Sequence, residues 1–273
     1  MNFQSATITP AESDCIRIAQ LTDTHLLPAG HRQFKGLDTA RTLEQVIASI
    51  NAEAERPDLV LATGDLAHEP LPEVYMRLRD ILRQANYPVF CLPGNHDVPE
   101  LMHDILNGGS LSTVKSLDCG GWRIILLNSV VAGKEHGHVS DAELRFLEQQ
   151  LQARTAAHVL IALHHHPVDI GSPWMDAMKV TNGGEFLAIV RRFPQVRGVL
   201  WGHIHQDFHS QLGTVQLIGS PSTCLQFRPR TQQFEKDMLP PAYRKLNLHG
   251  NGDITTALQW LEQPLAHDSV SWE

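Results

Sequence analysis

No run of about 18 apolar residues, the length a membrane-spanning helix requires, occurs anywhere in the chain. The N-terminal stretch lacks a basic start followed by an apolar core, so no secretory leader is expected and the protein reads as cytoplasmic. Cysteine is scarce: Cys15, Cys91, Cys119 and Cys224 are the only four, far apart and without a C-x-x-C pair. Neither a disulfide framework nor a thiolate zinc site is suggested by that spacing. Three of them fall in or beside strand-like runs, where a buried free thiol is expected. Positive charge is also short. With a formal net charge of -8 and no basic stripe, the protein as a whole repels a phosphate polymer, which argues against a nucleic-acid partner. A phosphorylated ligand would therefore need a local positive source such as metal ions. There is no internal repeat and no low-complexity tract.

What is present is a composition of 42% hydrophobic and 19% charged residues, which fits a soluble globular protein. Up to Trp201, short apolar runs alternate with amphipathic stretches, the pattern of an α/β fold. The runs are Ile16 to Leu21, Leu59 to Ala62, Val89 to Leu92, Trp122 to Leu127, Val159 to Leu163 and Val199 to Trp201. Between them, Leu43, Val46, Ile47 and Ile50 show the i, i+3, i+4, i+7 spacing of a buried helical face. Val74, Leu78, Ile81 and Leu82 give a second such face, and Leu144, Leu147 and Leu151 a third. After Trp201 the pattern changes to hairpins. Phe208 to Leu212 and Val215 to Ile218 flank Gly213-Thr214, and Leu246 to Leu248 and Ile254 to Leu258 flank a glycine-containing turn. These hairpins are expected to form a second sheet. One domain over 1–273 is expected, with 224–243 a long loop or lid, since long loops are often functional, and 244–262 a C-terminal hairpin.

The polar residues of interest follow the apolar runs. Asp23-Thr24-His25 comes after the first, Gly64-Asp65 after the second and Gly94-Asn95-His96-Asp97 after the third. His164-His165-His166 and Gly202-His203-Ile204-His205 follow two later runs. Each cluster thus lies at the C-terminal end of a predicted strand, where open α/β sheets place their sites. Alternate residues leaving a strand point the same way, so Asp23 and His25 are expected to converge. The glycines before Asp65, Asn95 and His203 suit a tight turn or a close backbone approach. The donors form a mixed nitrogen and oxygen set with enough ligands for two ions, a set that suits iron, manganese, cobalt or zinc and is poor for calcium. On an extended chain His164 and His166 face one way and His165 the other, so the residues leave the ligand among them open. Nine further histidines, at positions 31, 68, 103, 136, 138, 158, 209, 249 and 267, lie off these motifs and read as surface or hydrogen-bonded residues.

The series D-x-H, G-D, G-N-H-D, H-H-x-P and G-H-x-H resembles the calcineurin-like metallophosphoesterase superfamily. Leu163-His164-His165-His166-Pro167 and Gly219-Ser220-Pro221-Ser222-Thr223-Cys224 also resemble the bacterial class III 3',5'-cyclic AMP phosphodiesterases. The resemblance implies a four-layer α-β-β-α sandwich of two mixed sheets flanked by helices. It implies one ion held by Asp23, His25 and His205 and a second by Asn95, His164 and His203, with Asp65 bridging both. Aligning H-H-x-P selects His164 over His165. His96 takes a catalytic role by the same resemblance, with Asp97 as its orienting partner, and Asn95, His96, His164 and His205 also face the substrate.

Such a site clamps a phosphodiester, generates a bridging hydroxide and stabilises an in-line displacement, so cyclic AMP would yield 5'-AMP without a protein nucleophile. Phe227, Phe234 and Tyr243 are candidates for a nucleobase-stacking face, with packing anchors as the plainer reading. Two alternatives remain at this point: a broader phosphodiesterase or phosphomonoesterase acting on glycerophosphodiesters or nucleotides, and a non-catalytic metal-binding scaffold. Oligomeric state is open.

Overall fold

The structure is a computed structural model that describes residues 5–12, 14–30, 33–153 and 156–262. His31 and His267 lie outside the described residues. The apolar runs form strands and the periodic stretches form helices. In chain order these are β1 (Ser5–Ile8), β2 (Cys15–Leu21), α1 (Thr39–Asn51), β3 (Leu59–Thr63), α2 (Pro72–Leu82), β4 (Val89–Leu92) and α3 (Pro99–Ile105). Next come β5 (Leu111–Ser112), β6 (Ser116–Cys119), β7 (Trp122–Leu126), α4 (Asp141–Gln152), β8 (His158–Ala162), α5 (Pro173–Asp176), α6 (Gly183–Arg192) and β9 (Val196–Trp201). The chain ends with β10 (Phe208–Leu212), β11 (Val215–Gly219), β12 (Gln226–Phe227), β13 (Lys236–Asp237), β14 (Ala242–His249) and β15 (Ile254–Trp260). Local signals set the helix starts. Asp38 caps α1 by accepting from the Arg41 amide at 3.1 Å, and Ser140 caps α4 by accepting from the Glu143 amide at 3.3 Å.

Two mixed sheets result. One has the order β15-β14-β2-β3-β4-β5, with β2, β3, β4 and β5 parallel; the other runs β1-β6-β7-β8-β9-β11-β10, with β7, β8, β9 and β11 parallel. The late hairpins do not make a sheet of their own, contrary to the reading of the sequence. Strand β11 pairs with β9 and β14 pairs with β2, so each hairpin extends a different parallel core. The register of β14 explains this: its Leu246 and Leu248 pair beside Ile18 and Ile16 and join the same apolar layer.

Side-chain alternation sorts the strands into layers. In β3, Leu59 and Leu61 point toward the other sheet, while Val60 and Ala62 meet the buried faces of α1 and α2. In β8, Leu160 and Ala162 face inward, while Val159 and Ile161 meet α4 and α6. The layers are therefore helix, sheet, sheet, helix. Residues 224–243 include the two-stranded β12–β13 ribbon, and Ala242 and Tyr243 are buried at the start of β14. All four cysteines are free, and burial pushes Cys91, Cys119 and Cys224 up to about 12, so none offers a thiolate near neutrality. No helix among the described residues is long and apolar enough to cross a membrane.

Leu61 lies fully buried between the sheets. Leu61→Ala is expected to lower unfolding free energy by about 2–5 kcal/mol in a denaturant titration. A loss below about 0.5 kcal/mol would contradict the face-to-face packing.

Candidate metal centre

The parallel strands β2, β3, β4, β8 and β9 all end at the same rim, and the polar clusters leave from those ends. Strand alternation is not what makes Asp23 and His25 converge. Both lie beyond β2 with left-handed backbone, at φ 54° and 43°, and Asp65, His203 and His205 share that conformation at 49°, 65° and 48°. Among the described residues only Lys35 and Arg230 are other non-glycine residues in that region. Such positions cost about 1–3 kcal/mol each and persist only where the surroundings hold them.

The surroundings do hold them. Backbone hydrogen bonds continue past the sheet, from Asp23 to Gly64, from His25 to Asp65 and from Leu26 to Leu66, at 2.9, 2.9 and 3.1 Å. Asp23 accepts from the His203 amide at 3.0 Å and from the Thr22 hydroxyl at 2.7 Å. Asp65 accepts from the His96 amide at 2.9 Å. Two glycines are required by the close approach: a Cβ on Gly94 would fall on the backbone and carboxylate of Asp65, and one on Gly202 on the Thr22 hydroxyl and Asp23 carboxylate.

The side chains meet in a compact group. His25 and His205 bring their Nε2 atoms to 3.4 Å of each other, and His205 Nε2 lies 3.2 Å from Asp23 Oδ1. The two oxygens of Asp65 face different histidines, Oδ1 lying 3.4 Å from His164 Nε2 and Oδ2 lying 3.8 Å from His25 Nε2. Asp23, His25 and His205 form one set whose donors lie within 4.8 Å of one another; Asp23, Asp65 and His164 form a second, and His164, His165 and His203 a third. The tautomers are set from behind. His164 donates from Nδ1 to the Thr63 carbonyl at 2.9 Å and His205 to the Leu225 carbonyl at 2.7 Å, so each turns Nε2, and not Nδ1, to the centre.

The donors fit a cation. Asn95 Oδ1 and the Nε2 atoms of His164, His165 and His203 are buried without a hydrogen-bond partner, a condition that costs free energy unless something else fills the lone pairs. Burial drives His25 down to about 3 and His165 and His203 well below the usual imidazole range, so these rings are neutral donors. Burial also acts on His164, but Asp65 and Asp23 overcome it and raise His164 to about 9. Buried Asp65 is in turn held well below the usual carboxylate range by His164. The two carboxylates thus make a well of negative potential that a proton fills in part and a dication fills more completely.

His96 is half-buried and directs Nδ1 to the His68 carbonyl at 3.0 Å. Asp97 does not orient it, contrary to expectation. Asp97 accepts instead from the amides of Leu66, Ala67 and Gly94 at 3.1, 3.1 and 2.9 Å and from the Tyr75 hydroxyl at 2.9 Å. Burial and the nearby Asp65 push it up to about 6 against the pull of those donors. It is a hub that ties the loop after β3 to the loop after β4.

The histidine run divides by role. His165 places Nδ1 2.8 Å from the Ser129 hydroxyl, and His166 lies 3.8 Å from Asp176. Only His164 of the three also faces Asp23 and Asp65. Of the aromatic candidates, Phe227 stacks on His205 at 4.0 Å, and Phe234 meets Phe227 and Trp174 at 5.3 and 5.7 Å. Tyr243 is elsewhere, buried in the core with its hydroxyl donating to Glu53 at 2.6 Å.

Sequence reasoning missed His68 and Phe34. His68 places its Nδ1 3.3 Å from His25 Nδ1 and stacks on His96 at 5.0 Å, and Phe34 stacks on His25 at 5.4 Å. Burial and the neighbouring His96 lower His68, which keeps it neutral. The spacing from Asp65 was the available signal, since three residues along a short loop can return to the same rim. The segment from Gly219 to Cys224 is a buttress: Ser222 donates to the Asp23 carbonyl at 2.8 Å, and Ser220 accepts from buried Arg244 at 2.8 Å.

Comparison with known proteins places this geometry. Residues 16–207 match the family described as calcineurin-like phosphoesterase. The chain is 38% identical over 250 residues to a 3',5'-cyclic adenosine monophosphate phosphodiesterase of Pseudomonas aeruginosa, covering 92% of each chain. It is 38% identical over 244 residues to a 3',5'-cyclic-nucleotide phosphodiesterase of a Nostoc species, covering 89% of this chain and 92% of that one. A dimetal phosphatase from Danio rerio shares the fold, with a TM-score of 0.58 at 15% identity over 88% of this chain and 98% of that one.

Asp97→Ala leaves three backbone amides and a hydroxyl without their acceptor. With each buried orphan worth about 1–3 kcal/mol, the variant is expected to lose at least about 3 kcal/mol in a denaturant titration. A loss below about 1 kcal/mol would contradict the hub.

Proposed function

The chain belongs to the calcineurin-like phosphoesterase family, and on that premise we propose that it hydrolyses 3',5'-cyclic AMP to 5'-AMP at a binuclear metal centre. The observation that carries the proposal is the pair of Asp65 oxygens facing His164 and His25, beside buried side-chain nitrogen and oxygen atoms that have no hydrogen-bond partner. Asp23, His25 and His205 would hold one ion, Asn95, His164 and His203 the other, and Asp65 would serve both. Iron or manganese suits this nitrogen and oxygen set, and cobalt or zinc can replace them. The substrate follows from the cyclic-nucleotide phosphodiesterases that the chain resembles over about nine-tenths of its length. A cytoplasmic setting accords with that substrate.

Metal ions bound here would supply Lewis-acid charge to a phosphodiester and an activated water for in-line attack. The chain's own residues do the remaining tasks. His96, with Nδ1 committed to the His68 carbonyl, keeps Nε2 for the phosphate, where it steadies a phosphoryl oxygen or protonates the departing ribose oxygen. Asn95, His164 and His205 form the rest of the substrate-facing rim. The Asp23 and Asp65 carboxylates hold the charge of the ions, and the backbone amides of His203 and His96 fix those carboxylates.

The test is hydrolysis of cyclic AMP by protein stripped of metal and reloaded with manganese or iron, with cyclic GMP, a glycerophosphodiester and a phosphomonoester assayed alongside. Metal-dependent release of 5'-AMP well above the other rates is expected. Turnover of the other esters alone would replace the substrate, and no turnover with any metal would remove the enzymatic reading. In the same assay His96→Ala is expected to keep two ions and lose about 10²- to 10⁴-fold in turnover. Full turnover with both ions bound would rule out its role.

A further inference from the structure

We propose that His68 is a positioning residue that holds two imidazoles of the centre at once, His25 through its side chain and His96 through its carbonyl; this rests on the binuclear reading above. Three rings of the rim turn Nδ1 away from the centre to a backbone carbonyl. His164 directs it to the Thr63 carbonyl, His205 to the Leu225 carbonyl and His96 to the His68 carbonyl, at 2.9, 2.7 and 3.0 Å. All three acceptors are backbone groups. His25 differs from these three, because its Nδ1 meets the side-chain Nδ1 of His68 at 3.3 Å.

Two imidazole nitrogens at that separation bond only if one carries a proton and the other is bare. His25 Nε2 is the atom turned to the centre, 3.4 Å from His205 Nε2 and 3.8 Å from Asp65 Oδ2. An ion there requires Nε2 to be bare, so the His25 proton sits on Nδ1 and His68 Nδ1 accepts it. The remaining proton of His68 then lies on its Nε2.

The fold holds His68 firmly enough for this role. Its amide donates to the Leu26 carbonyl at 2.9 Å, one step beyond the bonds from His25 to Asp65 and from Leu26 to Leu66. His25 and His68 therefore ride on the same backbone ladder. The His68 ring is packed between Phe34 at 4.4 Å and His96 at 5.0 Å, nearly parallel to the latter at 21°. The side chain thus governs the tautomer of one metal-facing ring, while the carbonyl, which no substitution removes, governs the other.

This division separates two readouts. In His68→Ala, His25 loses its acceptor and the affinity for one of the two ions is expected to fall about 10- to 100-fold, the usual cost of losing an outer partner of a ligand. The second ion keeps wild-type affinity. Because the carbonyl remains, turnover at saturating metal is expected to fall less than the metal affinity does. In His68→Asn the amide oxygen takes the place of Nδ1 as acceptor, and the lost affinity returns. The measurement is a manganese titration of metal-free protein, read as bound ions per chain, with turnover followed in parallel. Uptake of two ions with wild-type affinity by His68→Ala would overturn the proposal, as would an Asn variant no better than Ala, since packing alone would then account for the loss. Wild-type protein that takes up fewer than two ions would instead remove the binuclear reading, and this inference with it.

Discussion

Two carboxylates buried among neutral rings set the terms for everything around them. Asp23 is 0% exposed and Asp65 3% exposed, and burial holds His25, His165 and His203 uncharged beside them. Negative charge removed from water in this way is costly unless a positive partner sits with it. His164 supplies a proton as partial compensation, and divalent cations compensate more fully. In a chain with a formal charge of -8, the same cations are also what attracts an anionic phosphodiester.

The scaffold is built to keep that arrangement from relaxing. Five ligand candidates adopt left-handed backbone, which the chain would leave if the loops were free. They are pinned by bonds running from one loop to the next rather than by the strands beneath them. Asp97 ties the loop after β3 to the loop after β4, and the Asp23 carboxylate ties the loop after β2 to the His203 amide. Behind them, Gln20 donates to the Thr63 hydroxyl at 2.9 Å, and buried Arg244 donates to Ser220 and to the Gly219 carbonyl. Strands from both sheets therefore act on one rim, so the face-to-face packing determines the site as much as the stability.

Much of this was legible in the residues. The six early apolar runs and three helical faces were readable because each has a clear period, and the glycines before Asp65, Asn95 and His203 were readable because close approach demands them. The sheet order was not. Gly213-Thr214 marks a hairpin wherever it lies, and only the tertiary register of β11 beside β9 and β14 beside β2 sends the two hairpins to different sheets. Strands β1 and β6 and helix α6 were missed, the strands because four-residue segments with polar neighbours carry little periodicity. Asp97 looked like a partner for His96 because it is adjacent in sequence, yet its four donors come from elsewhere along the chain or from backbone. His68 carries no motif, and its role exists only because the loops after β2 and β3 run side by side.

The proposed centre puts Asp65 between two ions. The most direct measurement is anomalous scattering from a crystal of manganese-loaded protein, collected where manganese absorbs. Two peaks are expected on either side of the Asp65 carboxylate, one bounded by Asp23, His25 and His205 and the other by Asn95, His164 and His203. A single peak, or two peaks that leave Asp65 unbound, would contradict that arrangement.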